Sequence, residues 1–285
     1  MTAMTSATAP APYLTELWDQ LPKLRRIVLV GLPGTGKSLL VKELANTAVN
    51  AGRPTRILQW DISRRAWDRE PVAQQKFPEI DGVTHAGIRT AMGMWVRSAI
   101  AQWNGEAGEG DGLLVVEAPL IGGRFSELAS ALEDNAEQSL TDATTLFVVI
   151  APVGELRDRL RAQRAQDMDA AADGTPEQHN ASADLLDELT DSLRGPAQEL
   201  GIEARTDSGY DGELYAELMQ TVLRHRRTLV IRPDSLMKVT GSVYELGEDI
   251  ERVWPDAFAV QRSLREVEAR SAADLAEHVR TWHQT

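Results

Sequence analysis

The stretch Arg26-Ile27-Val28-Leu29-Val30-Gly31-Leu32-Pro33-Gly34-Thr35-Gly36-Lys37-Ser38-Leu39-Leu40 decides how this 285-residue chain is read. Ile27 to Val30 is a continuous aliphatic run, as expected of a strand buried on both faces. Gly31 to Ser38 then fits the pattern G-x-x-x-x-G-K-[ST], and Leu39, Leu40, Val41, Leu44 and Ala48 set an apolar stripe along a following helix. Strand, glycine turn and helix in one frame make a nest of backbone N–H groups at a helix N-terminus, which attracts anions. The glycines permit positive φ and close backbone approach, Lys37 can reach the outer phosphates of a nucleotide, and the Ser38 hydroxyl can ligate Mg²⁺. Phosphate contacts are therefore expected from Gly31, Pro33, Gly34, Thr35, Gly36, Lys37, Ser38 and Leu39. The alternatives are a plain Gly-Pro-Gly turn between core elements and a dinucleotide fingerprint, although Gly34-Thr35-Gly36 lacks the third small residue of G-x-G-x-x-G.

Composition narrows the function classes. The length suits one large α/β domain with a helical appendage. There is no cysteine, so disulfides, thiolate metal sites and cysteine nucleophiles are excluded, which suits a cytoplasmic protein. A formal charge of −13 argues against a grip on long nucleic acid, which depends on Lys and Arg neutralising phosphates. No apolar run approaches a membrane span. Residues 1–12, rich in Ala, Thr and Pro, read as a disordered tail.

Outward from the glycine turn, strands and helices alternate. Tyr13, Leu14, Leu17, Trp18 and Leu21 space a short helix before the first strand. Thr55 to Trp60 reads as a second strand ending in Asp61, followed by a short helix from Ser63 to Arg69. Thr84 to Trp103 reads as a long helix stopped by Asn104-Gly105, with Arg89 and Arg97 off its apolar stripe. Leu113 to Val116 is a strand ending in Glu117, Phe125 to Leu140 a helix, and Thr144 to Ile150 a strand. The next helix carries Arg157, Arg161 and Arg164 on one face, and polar residues about 167–183 read as a lid. Helices follow at Leu185 to Leu200 and Glu213 to His225, then a strand from Thr228 to Arg232. Residues 241–285 read as a helical extension packed on the same domain, with a stripe of Val243, Leu246, Ile250, Val253 and Trp254 and an N-cap at Ser271.

Over residues 26–235 this layout resembles the P-loop kinases, the group of nucleoside-monophosphate kinases, polynucleotide kinase, zeta toxins and chloramphenicol phosphotransferase. Asp61-Ile62-Ser63-Arg64 is similar to the D-x-x-R after the second strand of the polynucleotide kinase and toxin group. Glu117-Ala118-Pro119-Leu120 looks loosely like the third strand of dephospho-coenzyme A kinase, without that family's Asp. The resemblance implies a three-layer P-loop NTPase fold with a five-stranded parallel sheet of order 2-3-1-4-5. It also implies an acceptor site after strands 2 and 3 and an arginine-bearing lid after strand 4.

These readings give a set of expected roles. Lys37, Asp61, Arg161 and Arg164 are the candidate catalytic residues, with Asp61 orienting or deprotonating an acceptor hydroxyl and the arginines stabilising transferring charge. Ser38 and Glu117 are the candidate Mg²⁺ residues, while Arg64, Arg89 and Arg124 are weaker candidates for the acceptor. Capping by Asp61 and Glu117, or plain surface charge for the arginines, are the structural alternatives. The expected activity is transfer of the γ-phosphoryl group of ATP to a hydroxyl or phosphate on a small acceptor. GTP is less favoured, since no N-K-x-D occurs. The alternatives are an ATPase switch acting through a protein partner, or a nucleic-acid end kinase; a homodimer fits either case.

Overall fold

The computed structural model describes residues 11–80, 82–107, 110–160, 162, 183–207, 209–235, 247 and 249–285. Strand β1 (Arg26–Val30) is buried along its whole length, as its aliphatic run requires. It pairs with β3 (Leu113–Ala118) on one side and β4 (Thr145–Ile150) on the other. With β2 (Thr55–Gln59), β5 (Thr228–Ile231) and β6 (Ile250–Arg252) these form a six-stranded, wholly parallel sheet of order β5-β4-β1-β3-β2-β6.

The sheet departs from the five-strand expectation by its sixth strand. β6 sits beside β2, where the helical spacing of Ile250 and Val253 points to a helix instead. An edge of β2 without β6 would leave a row of N–H and C=O groups unpaired, and pairing Thr55 with Ile250 and Ile57 with Arg252 satisfies them. Val243 and Leu246, the other members of that stripe, lie outside the described residues.

Period-two alternation divides the sheet between two cores. Ile27, Leu29, Ile57, Val115, Leu146 and Val148 face α1 (Thr15–Gln20) and α2 (Lys37–Asn50), burying Leu17, Leu40 and Leu44. Val28, Val30, Leu58, Leu114, Val116, Phe147 and Val149 line the opposite core. That side is covered by α3 (Trp60–Asp68), α4 (Pro71–Lys76), α5 (Ala86–Ala107), α9 (Arg194–Glu199), α10 (Gly212–Val222), α11 (Ala257–Glu268) and α12 (Ala272–Arg280). Further helices are α6 (Glu137–Thr141), α7 (residues 154–160) and α8 (Ala183–Asp191). Ser271 does cap α12, in a capping box with Asp274.

Several boundaries differ from the sequence reading. Pro12, counted with the tail in the sequence reading, opens a 3₁₀ turn, and residues 1–10 lie outside the described residues. α3 starts at Trp60 rather than Ser63, which shortens β2 by a residue and sets Asp61 inside the helix's first turn. α5 continues through Asn104-Gly105 to Ala107, and the Asn104 side chain accepts a hydrogen bond from Arg26 at the start of β1, a tertiary contact that outweighs the local stop signal. The segment expected as a helix from Phe125 to Leu140 is helical only in a 3₁₀ turn at Ser126–Leu128 and in α6. Its carbonyls are taken by side chains instead: Arg97 donates to Glu127 and Ser130, and Arg226 to Leu128 and Ser130. Both arginines are buried, so these bonds replace a helical ladder in a dry setting.

Candidate active site

The C-terminal ends of β1, β2 and β3 meet at one sheet edge, the edge where open parallel sheets hold ligands. After Val30 the chain passes through Gly31 to Gly36 and enters α2 at Lys37. A Cβ on Gly31 would stand 2.7 Å from Thr35 Oγ1 and 3.2 Å from the Lys37 side chain, so only glycine lets the loop close over itself. Gly34 and Gly36 adopt φ of 74° and 86°. Thr35 Oγ1 donates to the Leu32 carbonyl at 2.8 Å and Lys37 Nζ to the same oxygen at 2.9 Å. No side chain caps the N-terminus of α2, whose first N–H groups lack partners within the helix.

Parallel register then brings a carboxylate to this loop. Glu117 pairs with Leu29 across β1–β3 and with Gln59 across β2–β3. Its side chain points to the α2 face, where the Ser38 hydroxyl lies 3.2 and 3.3 Å from its two oxygens and Lys37 Nζ lies 3.9 Å from one. Lys37 and Glu117 are only 5% and 8% exposed. Gln59 donates to Glu117 Oε2 at 2.8 Å, and Arg252 of β6 donates to Gln59 Oε1 at 2.7 Å. A relay therefore runs from the sheet edge through Gln59 and Glu117 to Ser38.

Neither Gln59 nor Arg252 is singled out by the sequence reading. A polar residue closing an apolar strand is the only local signal for Gln59, and nothing local marks Arg252. Arg157, the first of the three arginines expected on one face of its helix, is buried, donates to the Pro33 carbonyl at 2.6 Å and lies 5.6 Å over the Tyr210 ring. One arginine of α7 thus braces the glycine loop from behind. Arg161, Arg164 and residues 167–182 of the expected lid lie outside the described residues.

The remaining candidates gather on the side of β2 and β3. Asp61 is exposed and makes no capping bond, the cap position belonging to Gln59. It attracts Arg124 electrostatically. Arg64 is already engaged, with Glu79, Asp68 and the Thr84 hydroxyl, so its charge is locally neutralised. Arg89 and Arg124 converge on the turn at Gly122: Arg89 donates to the Gly122 carbonyl at 2.7 Å and Arg124 to the Ile121 carbonyl at 3.3 Å. Burial, reinforced by Arg124, pushes Arg89 down to about 10, which leaves it cationic at neutral pH.

No family model and no curated protein matches this chain. The site must be read from its own geometry. Among the described residues no three His, Asp or Glu side chains gather as a metal cage, and none of the helices is long and apolar enough to cross a membrane. A hydroxyl beside a carboxylate, as at Ser38 and Glu117, is a hard-oxygen pair that fits a cation taking its other ligands from water and phosphate.

Proposed function

We propose that this chain is an ATP-dependent phosphotransferase of P-loop kinase type, moving the γ-phosphoryl group to a hydroxyl or phosphate on a small acceptor. The observation that carries this reading is the convergence of Lys37, Ser38 and Glu117 at an uncapped helix N-terminus. In this reading the phosphates lie against the N–H groups of Gly34 to Leu39, and Lys37 exchanges the Leu32 carbonyl for phosphate oxygens. Ser38 would hold Mg²⁺ directly and Glu117 through water, the ion supplying charge neutralisation on the phosphates. Gln59 and Arg252 keep the Glu117 carboxylate oriented, as supporting groups do around a metal.

Asp61, two residues beyond the end of β2 at Gln59, orients the acceptor hydroxyl and takes its proton as the acceptor oxygen attacks the γ-phosphorus. The bond from that phosphorus to the bridging oxygen breaks, and its electron pair leaves on ADP. Arg157 does no chemistry here; it stiffens the loop at Pro33.

The deciding experiment is an acceptor screen that reads ADP release from ATP and Mg²⁺, with Lys37→Ala as control. Acceptor-stimulated release that Lys37→Ala abolishes supports the reading. Failure of the unmodified protein to bind any nucleoside triphosphate by calorimetry overturns it. A second reading, an ATPase switch with a protein partner, is favoured by the Arg252–Gln59–Glu117 relay, which ties the last strand to the metal side of the site. Hydrolysis with no small acceptor, altered by Arg252→Met, would select that alternative.

A further inference from the structure

Arg89 of α5 and Arg124 of the turn after β3 are like charges held against each other. Their Nη1 atoms lie 3.2 and 3.0 Å from the single point that a Cβ on Gly122 would occupy. Arg124 is 9% exposed, and Arg89 Nε is buried without a hydrogen-bond partner. Among the described residues no carboxylate stands within ion-pair distance of either guanidinium. Asp61 attracts Arg124 only from further off, and Arg64, which repels it, is occupied by Glu79 and Asp68.

Holding two cations together in a low-dielectric setting costs free energy, so the fold must impose the arrangement. Leu120 and Phe125, at φ of 62° and 66°, are the non-glycine residues with positive φ among those described, and they bracket this turn. Gly122 and Gly123 also take positive φ, and Val279 of α12 packs onto Gly123. Backbone strain of this kind persists where the surroundings over-determine it. The chain thus spends stability to aim two planar donor forks at one place on the acceptor side of the candidate site.

Resting on the phosphotransferase reading above, we propose that Arg89 and Arg124 bind a phosphate monoester carried by the acceptor, which is therefore a phosphorylated small molecule rather than a neutral alcohol. Two guanidinium groups match the double charge of a phosphate monoester, whereas the single charge of a carboxylate is met by one. The phosphate held there is either the group that receives the γ-phosphoryl or an anchor remote from the reacting hydroxyl.

The test is calorimetry with inorganic phosphate, phenyl phosphate, acetate and phenol on full-length protein saturated with Mg²⁺ and a non-hydrolysable ATP analogue, which fills the glycine loop. The two phosphates should bind, acetate and phenol should bind far more weakly, and Arg89→Met or Arg124→Met should weaken phosphate binding by about tenfold or more. Arg262→Met, which alters an exposed ion pair on α11, should change nothing. Arg89→Lys keeps the charge without the fork and should give an intermediate loss, which covers the case in which Arg124→Met does not fold. Equal binding of phosphate and acetate, or phosphate binding indifferent to Arg89→Met and Arg89→Lys, overturns the proposal. If the ATP analogue itself does not bind, the phosphotransferase reading fails separately, and the same phosphate titration on Lys37→Ala protein still judges the arginine pair. Where turnover is found with a phosphorylated acceptor, phosphorus NMR of the product separates the two sources. A new P–O–P coupling marks an attacked phosphate, and a second monoester signal marks an anchor.

Discussion

The Ser38 hydroxyl lies between the two oxygens of Glu117, at 3.2 and 3.3 Å, although the residues are 79 positions apart. The contact follows from parallel pairing: Leu29 is level with Glu117, and two residues beyond it the chain turns at Gly31 into the helix that carries Ser38. A carboxylate in that place answers to the cation side of the proposed reaction.

Glu117→Gln keeps the size of the side chain and its ability to bond Ser38 and Gln59, but removes its charge. Turnover at fixed ATP should fall by roughly 10–100-fold, with a higher Mg²⁺ concentration needed for half-maximal rate. Steady-state kinetics across a Mg²⁺ series checks this, and an unchanged Mg²⁺ requirement would detach Glu117 from the metal.

Asp61 is exposed in the first turn of α3 and makes no cap bond, so Asp61→Asn should leave the thermal midpoint nearly unchanged. With a hydroxyl acceptor, kcat should fall by ~10²–10⁴-fold while ATP affinity holds. A small kcat effect would mean that the attacked group is already ionised, as a phosphate is.

Glu137 joins Arg97 and Arg226 at 2.8 and 2.7 Å. Burial alone would raise its carboxyl, but hydrogen bonds from Arg226 and Arg97 outweigh that and hold it down at about 2. A depressed folded value contributes stability that is present above the unfolded value near 4.5 and is lost as pH falls through about 2. Glu137→Gln should therefore destabilise the protein at neutral pH by about 3 kcal/mol, since buried Arg226 loses its counter-charge and Arg97 keeps only Asp134. Denaturant titrations from pH 7 to 2 should also show a shallower acid-side loss in the variant.

The C-terminal helix stands directly on the turn that carries Gly122 and Gly123. A Cβ on Gly123, whose φ is 76°, would lie 2.9 Å from Val279 Cγ2, and His278 Nε2 sits 2.8 Å from Glu127 Oε1 nearby. Gly123→Ala should cost roughly 1–3 kcal/mol and loosen α12. Acceptor KM should rise while nucleotide affinity stays constant, and hydrogen exchange should show faster opening of α12. Exchange unchanged in α12 would show that the turn and the helix are independent.

How much of this was legible in residues alone depends on the range of the interaction. The glycine loop is local: an aliphatic run, glycines at set spacing and an apolar stripe specify strand, turn and helix within twenty-five residues, and the structure forms them there. The parallel sheet follows from the alternation of such units, and the N-cap at Ser271 from the chemistry of its own turn. Failures came where a distant side chain overrode a local preference. Arg97 and Arg226 strip a would-be helix after Phe125 of its carbonyls, Arg26 engages Asn104 in a helix that runs past its stop signal, and the open edge of β2 draws residues 250–252 into a strand.

The sequence by itself determined the strand, glycine turn and helix around Gly31 to Ser38 and the alternating α/β plan, because both rest on contacts between residues close along the chain. Only the tertiary structure decided that Gln59 and Arg252 steady Glu117, that Arg157 braces Pro33, and that Arg89 and Arg124 meet at Gly122. Those relationships depend on sheet register and on which helix covers which turn. Neither is encoded at any one position, since each is the outcome of how the whole chain buries its apolar surface.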